Sequence, residues 1–287
     1  MKAREVQAYF LRLADWQDPA KSPDRIIVGD PGKDVRSCLV TWISSLRACR
    51  IAVERGVDLL VTHEPTYYDN WDDWARAGAP EPPAARSKRE FLERSGLVVL
   101  RVHNAWDCFP GEGVPWAWAR FLGFTGEPAR TGDVEPPSDA VLPGKTRPPT
   151  MLRFDIEPTN AGELARRFAA RTAELGEPVL QLVGDPAARV GKVGVGTGCI
   201  CSPRQFIEMG CDCSVACDDG SSYWRFLQLA EDAGFPVVRV NHGTAEEPSM
   251  ATLARHISER LPGVRAEHLP HRPAYRPVGA AGLIGGA

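Results

Sequence analysis

Short apolar runs, many of them β-branched, alternate along this chain with segments in which apolar residues recur at helical spacing. The runs predict strands in RIIVGD, CLVTWI, DLLVTH, LVVLRVH, KVGVGTG, CSVAC and PVVRVN. Helices are predicted in SLRACRIAVERG, RSKREFLERSG, PRQFIEMG, YWRFLQLAEDAG and SMATLARHISERLPG, most of which close on a glycine suited to a left-handed cap. This alternation predicts an α/β protein.

A segment rich in proline and glycine, residues 125–149, shows no sustained period and predicts a linker. It divides the chain into an N-terminal α/β lobe at 1–124 and a C-terminal α/β lobe at 150–272. The C-terminal lobe is expected to begin with one strand and one helix. Residues 273–287 are too small and flexible in composition to specify structure.

Composition and charge exclude two classes of partner. The 287 residues carry a formal net charge of -3 without a basic stripe, which argues against a nucleic-acid partner. No stretch approaches the roughly 20 apolar residues of a membrane span, and the N-terminus lacks the pattern of a secretory signal. A cytoplasmic protein without a membrane partner is expected.

Eight cysteines are spread through the chain, and reduced thiols are expected in the absence of an export signal. Five of them cluster at Cys199, Cys201, Cys211, Cys213 and Cys217 without the repeated C-x-x-C spacing of a zinc ribbon. Small buried thiols are the simpler interpretation. Thiol redox chemistry is an open alternative that requires an exposed thiolate of low pKa.

Histidines and carboxylates follow four of the predicted strands at their carboxyl ends. Open α/β sheets bind ligands at that edge, so side chains far apart in sequence can converge there. The residues are His63 and Glu64, His103 and Asp107, Asp218 and Asp219, and His242 and Glu246. A histidine at a strand end is also often structural, and a carboxylate there is often a helix cap, so both interpretations stay open.

Two of the pairs share one spacing. Asp107 follows His103 by four residues, and Glu246 follows His242 by four, which places each pair on one face if a helical turn begins at the histidine. Imidazole with carboxylate is a ligand mixture suited to zinc, iron, manganese or nickel. The other three histidines, His256, His268 and His271, lie in or near the last helix and the tail, where solvated roles are expected.

The sequence resembles the NIF-three-like dinuclear metal-centre family, many members of which are catalogued as GTP cyclohydrolase I type 2 homologues. The resemblance rests on LLVTHEP, VHNAWD, VGVGTG, ACDDG followed by YW, and VNHGTAE, in that order, and spans residues 26–269. It implies two related α/β lobes around a metal-binding cleft, two divalent metal ions and a toroidal homohexamer. The sequence THEPTYY indicates a subgroup of the family that carries a THEP motif.

Residue by residue, the resemblance implies metal binding by His63, Asp107, His242 and Glu246, with Asp107 and Glu246 as bridges. His103 is implied as a further ligand or a close neighbour of the ligands. Asp219 lies near the acidic residue of the family's second lobe.

Glu64 departs from the family pattern, which has a second histidine at this position. An oxygen ligand shifts preference toward harder ions, and a free carboxylate is suited to act as a base. Because neighbours in a regular strand face opposite sides, His63 and Glu64 can share a site only if the chain turns there. Pro65 predicts that turn, so the strand should stop at the pair.

The resulting hypothesis is a metal-dependent hydrolase. Two ions would lower the pKa of a bridging water and polarise a small-molecule substrate such as a nucleotide or cyclic amide. Asp219 or Glu64 would move the proton as the catalytic carboxylate. The alternative is a non-catalytic metal-binding oligomer that acts as a scaffold or regulatory protein, with a coordination shell closed by protein.

Two secondary features have both functional and structural interpretations. GVGTG, residues 194–198, is a backbone cradle for phosphate or a tight turn. Four tryptophans are candidates for subunit contacts or a cavity lining: Trp71, Trp74, Trp116 and Trp118. For Trp116 and Trp118, packing in the core is at least as strongly expected as either of these roles.

Overall fold

The computed structural model describes residues 1–133, 140–199, 201–280 and 282–283, and it divides into two compact units. Unit 1 comprises Met1–Phe109, Asp139–Arg147 and Met250–His271, and unit 2 comprises Pro110–Ser138, Pro148–Ser249 and Arg272–Ala287. Each unit is built on one main sheet with helices, which confirms the predicted α/β class. None of the helices in the described ranges combines the length and apolar composition that crossing a bilayer requires.

Unit 1 contains a five-stranded sheet in the order β1-β4-β3-β2-β11. Its strands are β1 (Ile26–Val28), β2 (Ser37–Ile43), β3 (Leu59–Glu64), β4 (Val98–Arg101) and β11 (Arg265–His268). Its helices are α1 (Ala3–Leu13), α2 (Leu46–Glu54), α3 (Pro83–Ser95) and α4 (Asn104–Asp107). Neighbouring strands from β4 to β11 are parallel, and β1 is antiparallel to β4.

Unit 2 contains a six-stranded sheet in the order β5-β6-β8-β9-β10-β7. Its strands are β5 (Arg130–Gly132), β6 (Met151–Asn160), β7 (Gln181–Val183), β8 (Arg189–Val195), β9 (Cys213–Cys217) and β10 (Val237–Val240). Its helices are α5 (Val114–Leu122), α6 (Ala161–Thr172), α7 (Pro203–Glu208) and α8 (Gln228–Asp232), with a 3-10 turn at Ala173–Leu175 and a π-helix at Tyr223–Leu227. Strands β8, β9 and β10 are parallel neighbours. Helix α9 (His242–Arg260) begins in unit 2, and its residues from Met250 belong to unit 1.

The helix bounds follow the chemistry of their first and last residues. Ser45 caps α2 by accepting the amide of Ala48 at 3.2 Å, and Asn160 caps α6 by accepting the amide of Glu163 at 2.8 Å. Proline stands at the first turn of α3 and α5, where a missing amide costs nothing. Both helices end at a glycine with positive φ, 67° at Gly96 and 98° at Gly123.

The compact units differ from the lobes predicted at 1–124 and 150–272. Strand β11 pairs in parallel with β2, so the end of the chain's last long helix and the strand after it belong to unit 1. Helix α5, by contrast, belongs to unit 2 and packs Trp118 into that unit's core. These long-range pairings leave no mark in local periodicity.

The predicted linker and tail contain short strands. Within residues 125–149, β5 pairs antiparallel with β6, whereas residues 134–139 lie outside the described part of the chain. In the tail, β12 (Val278–Gly279) pairs antiparallel with β13 (Gly282–Leu283). The expectation that the tail specifies no structure is therefore wrong for residues 278–279 and 282–283, while residues 281 and 284–287 are not described.

Candidate metal centre

The carboxyl ends of β3 and β4 bring four of the predicted site residues together in unit 1. The two strands are parallel with Thr62 opposite Arg101, so the residues that follow lie side by side. One ligand atom each from His63, Glu64 and His103 lies within 4.8 Å of the others. Helix α4 begins directly after His103 and carries Asp107 back toward both imidazoles. These four residues are called the first cluster.

The imidazole of His63 is fixed by the neighbouring strand end. Its Nδ1 lies 3.0 Å from the carbonyl oxygen of Val102, an acceptor, so Nδ1 carries the proton and donates it. In this tautomer Nε2 carries the lone pair, and it lies 3.4 Å from Oδ1 of Asp107. His63 is only 1% exposed. A backbone carbonyl that holds one nitrogen while the other faces a carboxylate is the usual arrangement of a metal-binding histidine.

His103 and Glu64 complete the first cluster. The rings of His63 and His103 stack with centroids 4.5 Å apart and planes inclined by 8°. His103 Nδ1 lies 3.1 Å from Oδ2 of Asp107, which confirms the predicted helical turn between the two residues. On the other side of the ring, His103 Nε2 lies 3.9 Å from Oε1 of Glu64. The Glu64 carboxylate thus approaches the imidazoles and stays partly exposed, with 15% of its side chain accessible.

Strand β3 ends at Glu64, as the proline after it predicts. Two buried cations fix the backbone of this turn. Arg101 donates from Nε to the carbonyl of His63 at 3.1 Å, and Lys88 donates from Nζ to the carbonyl of Thr66 at 2.5 Å. Side chains of β4 and α3 therefore hold the backbone on either side of Glu64 at the end of β3.

Lys88 is enclosed by protein. It is 1% exposed, and its ammonium lies 4.6 Å from the ring centroid of Tyr68. Burial lowers the pKa of Lys88 from 10.5 to about 8. Between those two values the unfolded chain binds a proton that the folded protein does not, so this group makes stability rise with pH in that window.

We predict that the free energy of unfolding of the native protein rises relative to that of Lys88→Met between about pH 8 and 10.5, by on the order of 3 kcal/mol. Methionine keeps the length and apolar stem of the side chain and does not titrate. Denaturant unfolding of both proteins at several pH values measures the difference. If the free energies of unfolding of the two proteins change in parallel with pH across this window, Lys88 does not have a lowered pKa.

Unit 2 holds a second cluster at the ends of β9 and β10. The strands are parallel with Cys217 opposite Val240, which sets Asp219 beside His242. His242 Nδ1 lies 2.9 Å from Oδ2 of Asp219, and its Nε2 lies 3.0 Å from Oε1 of Glu246, one helical turn further along α9. Glu246 is 2% exposed. Asp219, His242 and Glu246 form the second cluster.

The carboxylates of the second cluster govern the charge of its histidine. Burial disfavours the imidazolium, but Glu246 and Asp219 outweigh burial and raise the pKa of His242. The hydrogen bond with His242 in turn holds the pKa of Asp219 below its usual range. An imidazole between two carboxylates thus attracts positive charge, which a proton or a metal ion can supply.

Residues around the second cluster hold its backbone. Asp218 accepts the amide of His242 at 2.9 Å and the side-chain amide of Asn241 at 3.0 Å. The buried carboxylate of Glu177 accepts the backbone amide of Asn241 at 3.0 Å, and burial raises the pKa of Glu177. The start of α9 is therefore fixed by two carboxylates that do not contact the imidazole of His242.

The donor sets of both clusters fit divalent transition metals. Each cluster joins imidazole nitrogen to carboxylate oxygen, and His63 directs its Nε2 toward the carboxylate of Asp107. Every metal-ligating residue predicted from the sequence lies in one of the two clusters, as does Asp219. The clusters belong to different compact units, and each is defined by its own contacts.

The sequence profile of the Duf34/NIF3 (NGG1p interacting factor 3) family matches residues 1–272. The chain belongs to this family. The match agrees with the resemblance drawn from the strand-end motifs. Comparison with curated proteins gives no match.

Solved structures share the fold of this Duf34/NIF3 chain. Staphylococcus aureus protein SA1388 is 14% identical, with a TM-score of 0.72 over 96% of this chain and 98% of that one. A Bacillus cereus protein related to NIF3 is 14% identical, with a TM-score of 0.71 over 97% and 99%. Reduced HcgD from Methanocaldococcus jannaschii is 18% identical, with a TM-score of 0.64 over 94% and 98%. At these identities the likeness is one of fold.

The other candidate features of this Duf34/NIF3 chain, apart from the exposed Cys199, have structural explanations. No disulfide joins the eight cysteines, all of which lie in the described ranges. Burial raises the pKa of Cys211 and Cys213 to about 12 and also raises that of Cys217, so these thiols stay protonated. A Cβ atom at Gly194 would collide with Phe206, and one at Gly196 would collide with Cys201, so packing accounts for the first two of the three glycines in the GVGTG motif.

The aromatic and histidine side chains noted in the sequence differ from one another in exposure. Trp118 is fully buried in the core of unit 2, whereas Trp71 is 38% exposed beneath the guanidinium of Arg76. The expectation of a solvated His256 is wrong, because this residue is 4% exposed and its Nε2 lies 2.8 Å from the hydroxyl of Tyr9. An internal helix position gives no local signal for such a contact.

Proposed function

We propose that this Duf34/NIF3 protein is a metal-dependent hydrolase whose dinuclear centre activates water toward a small-molecule substrate, a nucleotide or cyclic amide as in GTP cyclohydrolase I type 2 homologues. The observation that carries the proposal is the state of His63. Its Nδ1 is held by the Val102 carbonyl and its Nε2 faces the carboxylate of Asp107. A buried imidazole prepared in this way is suited to bind a metal ion.

The residues that would hold the ions are His63, His103 and Asp107 in unit 1, and His242 and Glu246 in unit 2. When bound, divalent ions supply Lewis acidity, lowering the pKa of a water and polarising the substrate. Imidazole and carboxylate ligands accommodate zinc, iron, manganese or nickel.

We assign the catalytic proton transfer to Glu64 rather than to Asp219. Oδ2 of Asp219 contacts Nδ1 of His242, so Asp219 orients that histidine. Glu64 ends β3 with a carboxylate that is partly accessible and 3.9 Å from His103. In this proposal, Glu64 accepts a proton from water and returns it to a leaving group.

The proposal is tested by a hydrolysis screen on protein of known metal content. Nucleotides, cyclic amides and phosphoesters would be offered to the metal-loaded protein and to the same preparation after removal of metal by a chelator. Turnover of one class that disappears with the metal supports a hydrolase. Full metal occupancy without turnover of any of these classes would favour the scaffold or regulatory role instead.

Replacing Glu64 separates its role as a base from its role as a ligand. We predict that Glu64→His, which restores the residue implied by the family pattern, retains metal and shifts the preference from harder ions toward zinc or nickel. The matched variant Glu64→Gln keeps the shape of the side chain and removes its basicity. Hydrolysis should fall in Glu64→Gln by about 100-fold or more, the contribution typical of a positioned base. Unchanged metal preference and rate in both variants would remove Glu64 from the site.

Three further properties belong to this proposal. The THEP motif around His63 and Glu64 marks a subgroup of the family with its own metal preference. The protein is cytoplasmic and acts on a small molecule rather than on nucleic acid or a membrane. It self-associates as a homohexamer. A monomeric mass measured by light scattering at micromolar concentration would contradict this.

A further inference from the structure

Helix α4 lacks a capping side chain of its own. Its N-cap residue is His103, with φ -117° and ψ -83°, and the His103 side chain makes no capping hydrogen bond. N-cap residues usually accept the second or third helical amide through a short side-chain oxygen. The imidazole of His103 instead lies among Glu64, Asp107 and His63. The first turn of α4 therefore needs an acceptor from elsewhere.

Asp24, some 80 residues earlier in the chain, supplies that acceptor. Its Oδ1 accepts the amide of His103, and its Oδ2 accepts the amide of Ala105, the second residue of α4, at 3.1 Å. Asp24 is 1% exposed. Its Oδ2 also accepts hydrogen bonds from Gln17 Nε2 at 2.7 Å and Ser22 Oγ at 3.1 Å. With both oxygens engaged by donors, this carboxylate has the role of a structural cap.

Gln17 extends the same network to the side chain of His103. While its Nε2 donates to Asp24, its Oε1 accepts the side-chain amide of Asn104 at 3.1 Å. Asn104 is thereby oriented with Oδ1 3.0 Å from Nδ1 of His103. Nδ1 of His103 then faces two oxygens, those of Asn104 and Asp107, and its Nε2 faces Glu64. Gln17 is buried, at 1% exposure.

We propose that Asp24 and Gln17 are positioning residues for the first cluster, and that they determine its metal affinity by fixing the backbone and ring orientation of the His103–Asp107 turn. The inference rests on the metal-binding part of the proposed function and not on hydrolysis. Neither residue carries a sequence signal for this role, because both precede β1 and lie far from the strand-end motifs.

The test compares Asp24→Asn with Ser22→Ala. Asparagine keeps the shape of Asp24, but only one of its two groups accepts, so an amide of the turn loses its partner. Ser22→Ala removes a bond to the same carboxylate and the acceptor of the Asp24 backbone amide, but neither bond involves an amide of the His103–Asp107 turn. Chelator competition should show that Asp24→Asn binds zinc about 10–100-fold more weakly than the native protein, whereas Ser22→Ala changes little. This range is typical when a residue that hydrogen-bonds to a metal ligand is lost.

A readout in metal-free protein keeps this inference separable from the proposed function. Amide hydrogen exchange at His103 and Ala105 should accelerate in Asp24→Asn and stay slow in Ser22→Ala. If Asp24→Asn does not fold, Gln17→Met provides the affinity comparison, since it removes the links to Asp24 and Asn104 at similar volume.

If Asp24→Asn shows faster amide exchange but binds zinc as tightly as the native protein, the proposal is overturned. Asp24 would then stabilise the start of α4 without affecting metal affinity. Absence of zinc binding by the native protein would overturn both this inference and the proposed function. Absence of hydrolysis by zinc-loaded native protein would count against the hydrolase alone.

Discussion

The His63→Ala variant is expected to bind at least one metal ion fewer per chain than the native protein and to lose hydrolysis to the level of the uncatalysed reaction. His63 is 1% exposed, and its orientation is set by the Val102 carbonyl, so its Nε2 occupies a fixed position in the first cluster. Alanine removes one nitrogen ligand from a set of donors in which nitrogen ligands are few. Elemental analysis with a hydrolysis assay measures both effects.

His268→Ala is the matched control for this prediction. His268 ends β11 in the same unit but lies outside the first cluster. The control should retain native metal content and activity, and circular dichroism should show both variants folded. A folded His63→Ala variant that keeps two ions would remove His63 from the metal centre.

The Glu246→Gln variant should bind metal at least 10–100-fold more weakly and should also lower the pKa of His242. Glu246 lies 3.0 Å from His242 Nε2 and is 2% exposed, so its charge acts on the imidazole with little screening. In the native protein, burial lowers the pKa of His242 while Glu246 and Asp219 raise it. Glutamine removes the carboxylate with the stronger effect of the two, so burial has more weight, the His242 pKa falls and the neutral imidazole is favoured.

Two measurements check this second prediction. An NMR titration of metal-free protein follows the His242 pKa, and chelator competition follows the metal affinity. Glu247→Gln is the control, because Glu247 is the next residue in α9, is also buried at 4% exposure and does not belong to the second cluster. Equal effects of the two substitutions would show that Glu246 has no specific place in the site.

The local pattern of the sequence was sufficient to predict the strands that deliver the site and the spacing of its residues. Runs such as DLLVTH and CSVAC correspond to the buried strands β3 and β9. The four-residue spacing of His103 to Asp107 and of His242 to Glu246 corresponds to single helical turns. These features follow from the period of a strand, the period of a helix and the effect of Pro65 on its neighbour, all of which are local.

The supporting interactions could not be predicted, because they depend on contacts between distant segments. RSKREFLERSG has the amphipathic spacing of a surface helix, yet Lys88 within it is enclosed beneath the turn after His63. Asp24 caps a helix some 80 residues away, and β11 returns to the sheet of unit 1. In YWRFLQLAEDAG, helical periodicity is correct, but the first turn is a π-helix, a variant that periodicity does not distinguish.

Metal content is the property on which the whole account depends. The native protein would be purified without chelator, analysed for zinc, iron, manganese and nickel, then stripped and reconstituted with each ion. We predict retention or uptake of up to two divalent ions per chain, reduced by at least one in His63→Ala. A native protein that carries no metal after purification and takes up none of the four ions would contradict the assignment of both clusters.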